Sequence, residues 1–318
     1  MRLKETLKKQ GGIKLIKQYL RGGAFFTAIG ELLLLGKSKT SLEILRNAAS
    51  LKIIHNLEKK YLKKIIEIEK AYSEENTTDY PRKIWVCWLQ GMDKAPKIVK
   101  KCYDSLEKCI TDREIIFLTE NNYREYVSFP VEIQRKIDLG IIRGAHMSDL
   151  LRLELLQNYG GTWIDATVFC SSKDIPLYML NSDLFLFQCL KPGKDGQPTT
   201  ISNWFITAKP NQKYIFMMRE LMYEYWKNND DLVDYFIFHD FFQIIINHYP
   251  SEWRKVIPFS NSIPHILLLR LFDKYDDEVW NAVIEMAPFH KLSYKFDEKF
   301  TTLDNTFYQK IIKLYSED

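Results

Sequence analysis

Residues 148–169 read SDLLRLELLQNYGGTWIDATVF, and this stretch decides the fold. Its leucines recur at helical spacing and predict a helix with a wide apolar face, with Ser148 as the N-cap. Gly160 and Gly161 follow the last turn, where a left-handed C-cap favours a residue without a Cβ. The apolar period then changes to two. The stretch is therefore interpreted as a helix, a glycine turn and a buried strand.

Polar side chains on this helix and strand are predicted to meet. Asp149 and Arg152 are three residues apart and share a helix face. The strand places Trp163, Asp165 and Thr167 on one side. A carboxylate in an apolar strand is costly unless it has a partner or a metal. Asp149, Arg152 and Asp165 are therefore candidate catalytic residues; the alternative is a surface Asp–Arg pair beside an unrelated strand-end Asp.

Length and composition indicate a globular protein. The chain has 318 residues, of which 46% are hydrophobic and 14% aromatic. One large domain, or a domain with an appendage, is expected. The five cysteines include no C-x-x-C pair. A zinc site or a disulfide framework is therefore not expected, and buried free thiols in a reducing compartment are.

Charge is unevenly distributed along the chain. Residues 1–70 contain 16 Lys and Arg against 6 Asp and Glu, whereas the whole chain contains 45 against 41. The remainder therefore carries 29 basic against 35 acidic residues. Such an asymmetry suggests an anionic surface as the partner of the basic end.

Residues 1–78 are predicted to form a basic helical N-terminal segment ahead of a catalytic domain at 79–318. The apolar run at 24–35 is shorter than the ~20 residues that span a bilayer. The basic amphipathic patterns around it predict helices that lie on an anionic membrane surface; the alternative is helices that pack on the domain or form a dimer contact. No nucleic-acid-binding motif accompanies them, so nucleic acid is not an expected partner. Residues 73–81 are predicted to be a linker.

The next part of the chain predicts the start of an α/β domain. A strand at 83–89, a helix at 96–109 and a strand at 113–118 follow one another. No G-x-G-x-x-G or Walker loop is present. Ligands gather at strand ends in α/β sheets, so Trp88 is a candidate nucleotide contact, and the alternative is a core residue. The polar loop at 191–200 is a candidate lid.

The segment SDLLRLELLQNYGGTWIDAT resembles the signature of bacterial capsular polysaccharide synthesis glycosyltransferases. These are related to the sugar transferases that include fungal mannosyltransferases and glucosylating bacterial toxins, with the pattern S-D-x-x-R and then Y-G-G-x-Y/W-x-D-x-D. Thr167 stands at the second Asp of D-x-D, which is the usual form in the capsular branch. The resemblance covers roughly residues 80–250. It implies a GT-A-type nucleotide-sugar-binding domain, an α/β fold with a mixed sheet flanked by helices.

The resemblance also implies donor-binding residues. The first strand of these families ends in W-x-x-G, whose Trp stacks on uracil, and Trp88, Gln90 and Gly91 match that spacing. Asn203, in a later strand, matches an Asn that touches the donor sugar in the toxins. Gly161 belongs to the glycine pair that allows close backbone approach.

A divalent ion is the implied cofactor. Oxygen ligands and a diphosphate suit Mn²⁺ or Mg²⁺, with Asp165 and Thr167 as candidate metal ligands. His239 lies in a stretch similar to a family Y-F-x-x-H pattern and is a further metal candidate. His146, just ahead of Ser148, is a candidate phosphate or sugar contact outside the leading set, and the alternative is a local hydrogen-bonding residue.

The resemblance implies a retaining hexosyltransferase that uses a nucleotide-sugar and extends a lipid-linked capsular or exopolysaccharide repeat unit. A UDP-sugar is the leading candidate donor. The basic N-terminal segment predicts a cytoplasmic protein bound peripherally to the inner face of the cell membrane. One alternative is a non-catalytic membrane-associated scaffold of a polysaccharide assembly complex, in which D-x-T marks a lost site. Another is a metal-dependent phosphoester hydrolase, which the absence of a His/Asp metal cluster in the sequence disfavours.

Overall fold

The computed structural model describes residues 12–74, 80–190 and 198–315. The described strands are β1 (Lys83–Cys87), β2 (Glu114–Leu118), β3 (Gly161–Asp165), β4 (Val168–Cys170), β5 (Leu184–Gln188), β6 (Ile201–Ala208) and β7 (Phe289–Lys291). Five of them form a sheet in the order β2-β1-β3-β6-β5. In it, β1 runs parallel to β2 and β3, and β6 runs antiparallel to β3 and β5. β4 and β7 form a separate antiparallel pair.

Helices precede, separate and follow these strands. They are α1 (Ile13–Arg21), α2 (Phe25–Leu35), α3 (Lys39–Ala71), α4 (Lys97–Cys109), α5 (Val131–Asp138), α6 (Ala145–Tyr159), α7 (Leu177–Leu180), α8 (Lys213–Asn228), α9 (Ile237–His248), α10 (Pro250–Trp253), α11 (Ile266–Arg270), α12 (Asp277–Met286) and α13 (Phe307–Lys313). The predicted α/β fold, a mixed sheet flanked by helices after helical N-terminal elements, is confirmed.

The five-stranded sheet has a hydrophobic core on each face. Side chains alternate along a strand, so Trp85 and Trp163 point into one core, which also contains α3, α6, α8 and α9. Ile84 and Ile164 point into the other core, against α4, α12 and α13. Both faces are buried, which explains why these strands are almost continuously apolar.

The 33-residue helix α3 is part of the first core. Its buried side chains recur at helical spacing, among them Ile54, Leu57, Tyr61 and Ile65. They pack against α8 and α9, as the alternative interpretation of the basic segment expects. The predicted boundary at residue 78 lies outside the described residues, so the division into domains stays a prediction. Across the described ranges, no helix is both long enough and apolar enough to cross a lipid bilayer.

Two local predictions in the deciding stretch are wrong. Helix α6 begins at Ala145, and its N-cap residue is Gly144 with a φ of 56°, so Ser148 is not the N-cap. The strand does not continue to Thr167 either: β3 ends at Asp165, and the chain then turns and enters β4. The turn carries the chain to another sheet, where Thr167 O accepts a hydrogen bond from Leu292 N at 2.8 Å.

Other predicted features agree with the structure or fall outside it. Gly160 follows the last residue of α6 with a φ of 62°, as the glycine C-cap requires. The lid predicted at 191–200 and the linker predicted at 73–81 both lie partly outside the described residues, which omit 191–197 and 75–79.

Candidate functional site

A cavity of about 1190 Å³ opens at the carboxyl ends of β1 and β3. Cys87 and Asp165, the last residues of these parallel strands, both line it. Helix α1 and the segments that precede α6, precede α9 and follow β7 supply the remaining walls. Strand ends are the usual ligand position in such sheets, and the volume suits a ligand of nucleotide-sugar size.

Arg152 is fixed at the centre of the cavity wall. Its Nη1 donates to Asp149 Oδ1 at 2.6 Å, and its Nη2 donates to Asp165 Oδ1 at 3.4 Å. The guanidinium lies 4.9 Å from the ring centre of Trp163 and 5.6 Å from that of Phe238. With 4% of its side chain exposed, Arg152 is held by two carboxylates and two rings. The structure therefore brings the three predicted catalytic residues together.

Asp149 and Asn203 support Arg152 from behind. Asn203 Nδ2 donates to Asp149 Oδ1 at 2.9 Å, so one carboxylate oxygen receives both the amide and the guanidinium. Both residues lie outside the described cavity wall, whereas Arg152 is part of it. His146 also lines the cavity, with Nδ1 3.7 Å from Asp149 Oδ2. Asp149 and Asn203 therefore act as positioning residues for Arg152 in this arrangement.

Lys291 completes the charged network, and no sequence pattern predicts it. Its Nζ lies 2.8 Å from Asp165 Oδ2 and 2.6 Å from Thr167 Oγ1. The lysine is the last residue of β7, and the pairing of Val168 with Lys291 brings it to the motif from a distant part of the chain. Asp165 and Thr167 therefore contact the same ammonium group, although Thr167 lies beyond the end of β3.

Asp165 is held in its ionised form. Trp163 Nε1 donates to Asp165 Oδ1 at 3.0 Å. Although burial acts to raise the pKa of Asp165, the charges of Lys291 and Arg152 outweigh it and hold that pKa below its usual value. The cavity wall therefore carries a carboxylate flanked by two cations.

As arranged, the Asp165–Thr167 pair does not fit a divalent cation. Both residues have an oxygen within hydrogen-bond distance of the Lys291 ammonium, which repels a second cation. Within residues 12–74, 80–190 and 198–315, no three His, Cys, Asp or Glu side chains group as metal ligands. Mn²⁺ or Mg²⁺ at this position requires Lys291 to move away, so the ion stays a prediction.

His239 lies beside this network, outside the described cavity wall. Burial lowers its pKa to about 4, and among the described residues Nδ1 has no hydrogen-bond partner. Asp149 is close enough to act on its charge. The imidazole is therefore neutral at pH 7, and in the described part of the chain it joins no group of metal ligands.

Trp88 and Gln90 line the cavity, as the donor-binding prediction expects. The ring of Trp88 meets that of Tyr294 edge to face, with 5.0 Å between the ring centres. Trp88 Nε1 is buried, and no group in the described part of the chain hydrogen-bonds to it. Gly91, with a φ of 83°, lies beyond the described wall and forms the turn that follows. The cavity wall therefore carries an aromatic pair at this point, and stacking of a base on it stays a prediction.

Gly161 lies at the opposite end of β3 from the cavity. It is four positions from Asp165, or about 13 Å along the strand. Its φ is 91°, and a Cβ there would stand 2.4 Å from the carbonyl oxygen of Lys83. The glycine is required by close strand packing and is not part of the described cavity wall, so its predicted donor contact stays a prediction.

The cavity mouth is basic, which the sequence interpretation did not connect with the site. Helix α1, expected on a membrane surface, forms part of the wall. Of the cations at the cavity, those on α1 and on the loops are Lys14, Lys17, Arg21, Arg143 and Lys295. The basic amphipathic pattern of α1 predicts that this segment is helical. It does not predict that the helix lies beside the carboxyl ends of the strands.

Comparisons with known proteins give one family. A model of the family described as "Capsular polysaccharide synthesis protein" matches residues 37–311. Six chains of solved structures match, among them "PaToxG Glycosyltransferase", with 14% identity, 81% of this chain and 95% of that chain covered, and a TM-score of 0.38. The comparison with curated proteins gives no match. The resemblance drawn from the sequence is confirmed by the match over most of the chain, and the protein belongs to the capsular polysaccharide synthesis protein family.

Proposed function

We propose that the protein is a glycosyltransferase that moves a sugar from a nucleotide-sugar to a growing capsular or exopolysaccharide repeat unit. A UDP-sugar is the leading candidate donor. One observation carries this proposal: Arg152 and Lys291 flank the ionised Asp165 on the wall of a cavity at the ends of parallel strands. Fixed cations in such a position suit a diphosphate whose charge grows as the sugar leaves. Membership of a capsule-synthesis family agrees with this chemistry.

The reaction exchanges one oxygen for another at the anomeric carbon. The bond from that carbon to the diphosphate oxygen breaks, and the oxygen keeps the electron pair. The acceptor hydroxyl oxygen bonds to the same carbon, and its proton passes to the departing phosphate. Arg152 and Lys291 stabilise the departing charge, while Trp88 and Tyr294 stack on the base.

We also propose that the anomeric configuration is retained without a covalent intermediate. Each Asp in the described cavity wall is bonded to a cation: Asp165 to Lys291, and Asp231 to Arg21 at 2.6 Å. Asp230 pairs in the same way with Lys136. Burial raises the pKa of the nearby Cys87 thiol to about 12, which keeps it protonated at pH 7. Such groups are poor nucleophiles, which favours departure and attack on the same face of the sugar.

The proposed acceptor is a lipid-linked oligosaccharide at the cytoplasmic face of the cell membrane, where the protein binds peripherally. Phe26, Leu33 and Leu34 of α2 have 84%, 80% and 81% of their surface exposed. Basic side chains of α1 lie nearby in the chain and line the cavity mouth. An exposed apolar helix beside a basic one suits an anionic bilayer surface.

A non-catalytic scaffold is the second candidate, because Thr167 replaces an Asp of the related motif. The bonded network of Asp149, Arg152, Asp165 and Lys291 argues against it. Burying several charges in one cluster is costly, and a scaffold gains nothing from that cost.

Donor hydrolysis tests the proposed function. The purified protein is incubated with UDP- and GDP-sugars without acceptor, in Mn²⁺ or in EDTA, and nucleoside diphosphate release is measured. We expect slow hydrolysis of one donor and a loss of about 100-fold in Arg152→Lys, which lacks the planar fork that meets both carboxylates from two nitrogens. Lys83→Met is the control, because Lys83 pairs with Glu114 at the other end of the sheet. If no donor is bound or hydrolysed, the scaffold is favoured.

A further inference from the structure

We propose that Lys291 is the resident cation of this site and that the protein binds and cleaves its donor without a divalent metal ion. The proposal rests on the proposed function and assigns the charge that stabilises the diphosphate to a side chain of the chain itself. Its basis is the position of the Lys291 ammonium between the two residues of the D-x-T motif.

The ammonium has a donor left for a ligand. A protonated lysine carries three N–H donors. Among the described residues, Nζ bonds to Asp165 Oδ2 and to Thr167 Oγ1, which leaves one donor. Lys291 lines the cavity, with 17% of its side chain exposed. The free donor is therefore available to a phosphate oxygen in the cavity, while the other two hold the group in place.

Backbone pairing on both sides fixes Lys291 opposite the motif. Lys291 is the register partner of Val168 in the β4–β7 pair. The next residue, Leu292, donates its N–H to Thr167 O at 2.8 Å. The lysine is thus held by the same chain turn that carries Thr167. This distinguishes it from the cations at the cavity mouth on α1, which sit on a separate helix.

The charge balance of the network is complete without a metal. Asp149 and Asp165 carry two negative charges, and Arg152 and Lys291 carry two positive charges. A divalent ion beside Asp165 adds two further positive charges next to both cations. Thr167 provides a neutral hydroxyl where a second carboxylate is needed to offset that ion. The D-x-T form is therefore matched to a lysine.

In the reaction Lys291 hydrogen-bonds to the diphosphate. As the bond between the anomeric carbon and the phosphate oxygen breaks, the electron pair stays on that oxygen and Lys291 stabilises the added charge. The acceptor hydroxyl supplies the new bond to the carbon and gives its proton to the phosphate. Lys291 keeps its own protons throughout, so no further reactant is required.

Nucleotide binding in EDTA tests the proposal without relying on turnover. UDP, GDP and dTDP are titrated calorimetrically into the full-length protein in EDTA and again in Mn²⁺. We expect one nucleotide to bind with similar affinity in both. Lys291→Met should weaken binding by about 10- to 100-fold, and Lys291→Arg should recover part of the loss. Lys83→Met, which removes a surface lysine from its pair with Glu114, should bind as the wild type does.

The wild-type comparison in EDTA and in Mn²⁺ keeps the test decisive if Lys291→Met folds poorly, because it needs no substitution, and a double variant extends it. Thr167→Asp combined with Lys291→Met replaces the ammonium by a second carboxylate, and we expect this variant to bind nucleotide only in Mn²⁺. Equal binding by this double variant in EDTA overturns the proposal. Wild-type binding that requires Mn²⁺ also overturns it but leaves the glycosyltransferase intact. Absence of nucleotide binding in both conditions contradicts the glycosyltransferase function and this proposal together.

Discussion

The amide of Asn203 supplies a hydrogen-bond donor that an ionised carboxylate at the same position cannot supply. Asn203 Nδ2 donates to Asp149 Oδ1 at 2.9 Å. We predict that Asn203→Asp destabilises the protein by about 1–3 kcal/mol at pH 7, because two carboxylates then face each other. Repulsion raises the folded-state pKa of the pair above its unfolded value, so the loss is present at neutral pH and shrinks as pH falls through that raised pKa.

Chemical unfolding at pH 7 and pH 5 measures this effect. Asn203→Ala is the matched control, since it removes the same hydrogen bond without adding an ionisable group. Its loss of stability should be similar at both pH values. A loss in Asn203→Asp that does not change with pH contradicts the close contact with Asp149.

Burial of His239 makes stability depend on pH. Its folded pKa is lowered to about 4 by burial, against a usual value of 6.5. The unfolded chain therefore binds more protons between these values. Stability is at its full value above pH 6.5 and falls as pH approaches 4, by about 3 kcal/mol for this residue. Burial also lowers the pKa of His290 to about 4, so this residue adds to the same loss of stability at acid pH.

His239→Asn should flatten the acid limb of the stability curve measured by urea unfolding between pH 7 and pH 4.5. His290→Asn provides the comparison, because His290 is also buried and its Nε2 lies 2.9 Å from Ser171 Oγ. If the wild-type and His239→Asn curves run parallel, the imidazole of His239 is already accessible to protons in the folded state.

At the residue scale the sequence predicts contacts that follow from local geometry. Helical spacing alone brings Asp149 to Arg152, and the glycine turn carries Asp165 back to them. Lys291 could not be predicted, because it meets Asp165 only through the pairing of β7 with β4, and a three-residue strand leaves no periodic signal. Asp149 belongs to the predicted network, yet it holds Arg152 and does not line the cavity.

At the scale of elements, the passage from α6 into β3 depends on Gly161. With a φ of 91° and Lys83 O 2.4 Å from the position of a Cβ, the backbone has no room for a side chain. We predict that Gly161→Ala costs about 2–4 kcal/mol in urea unfolding. Gly30→Ala is the control, because nothing lies within 4 Å of its Cβ position in α2. It should gain about 0.5–1 kcal/mol, and a similar loss in both variants contradicts the packing explanation.

Periodicity predicts which elements form, while tertiary pairing decides where they end. The later strand predicted around Asn203 is observed as β6, because burial continues along almost its whole length. The strand predicted through Thr167 ends early, because the chain leaves the central sheet to pair with β7. The helix predicted to start at Ser148 begins one turn earlier at a glycine of positive φ, a signal that composition does not contain.

At the scale of the whole molecule, the N-terminal helices serve two purposes: α3 packs into the core, and α2 is the helix proposed to bind lipid. The buried face of α3 belongs to the core shared with α8 and α9, so deleting residues 1–78 would remove part of that core. The charge asymmetry of the sequence predicts a basic end but not which helix faces outward. Membrane binding must therefore be tested with surface substitutions on α2 in the intact chain.

We predict that Phe26→Ser combined with Leu33→Ser and Leu34→Ser lowers binding to anionic vesicles about 100-fold or more, because all three exposed side chains can enter the bilayer surface. Sedimentation with phosphatidylglycerol vesicles measures it, and the melting temperature checks the fold. A control with Leu177→Ser and Leu269→Ser changes two exposed leucines far along the chain. If the α2 variant binds the vesicles as well as the wild type does, and added salt releases both proteins from them, the basic side chains alone hold the protein to lipid and α2 does not insert.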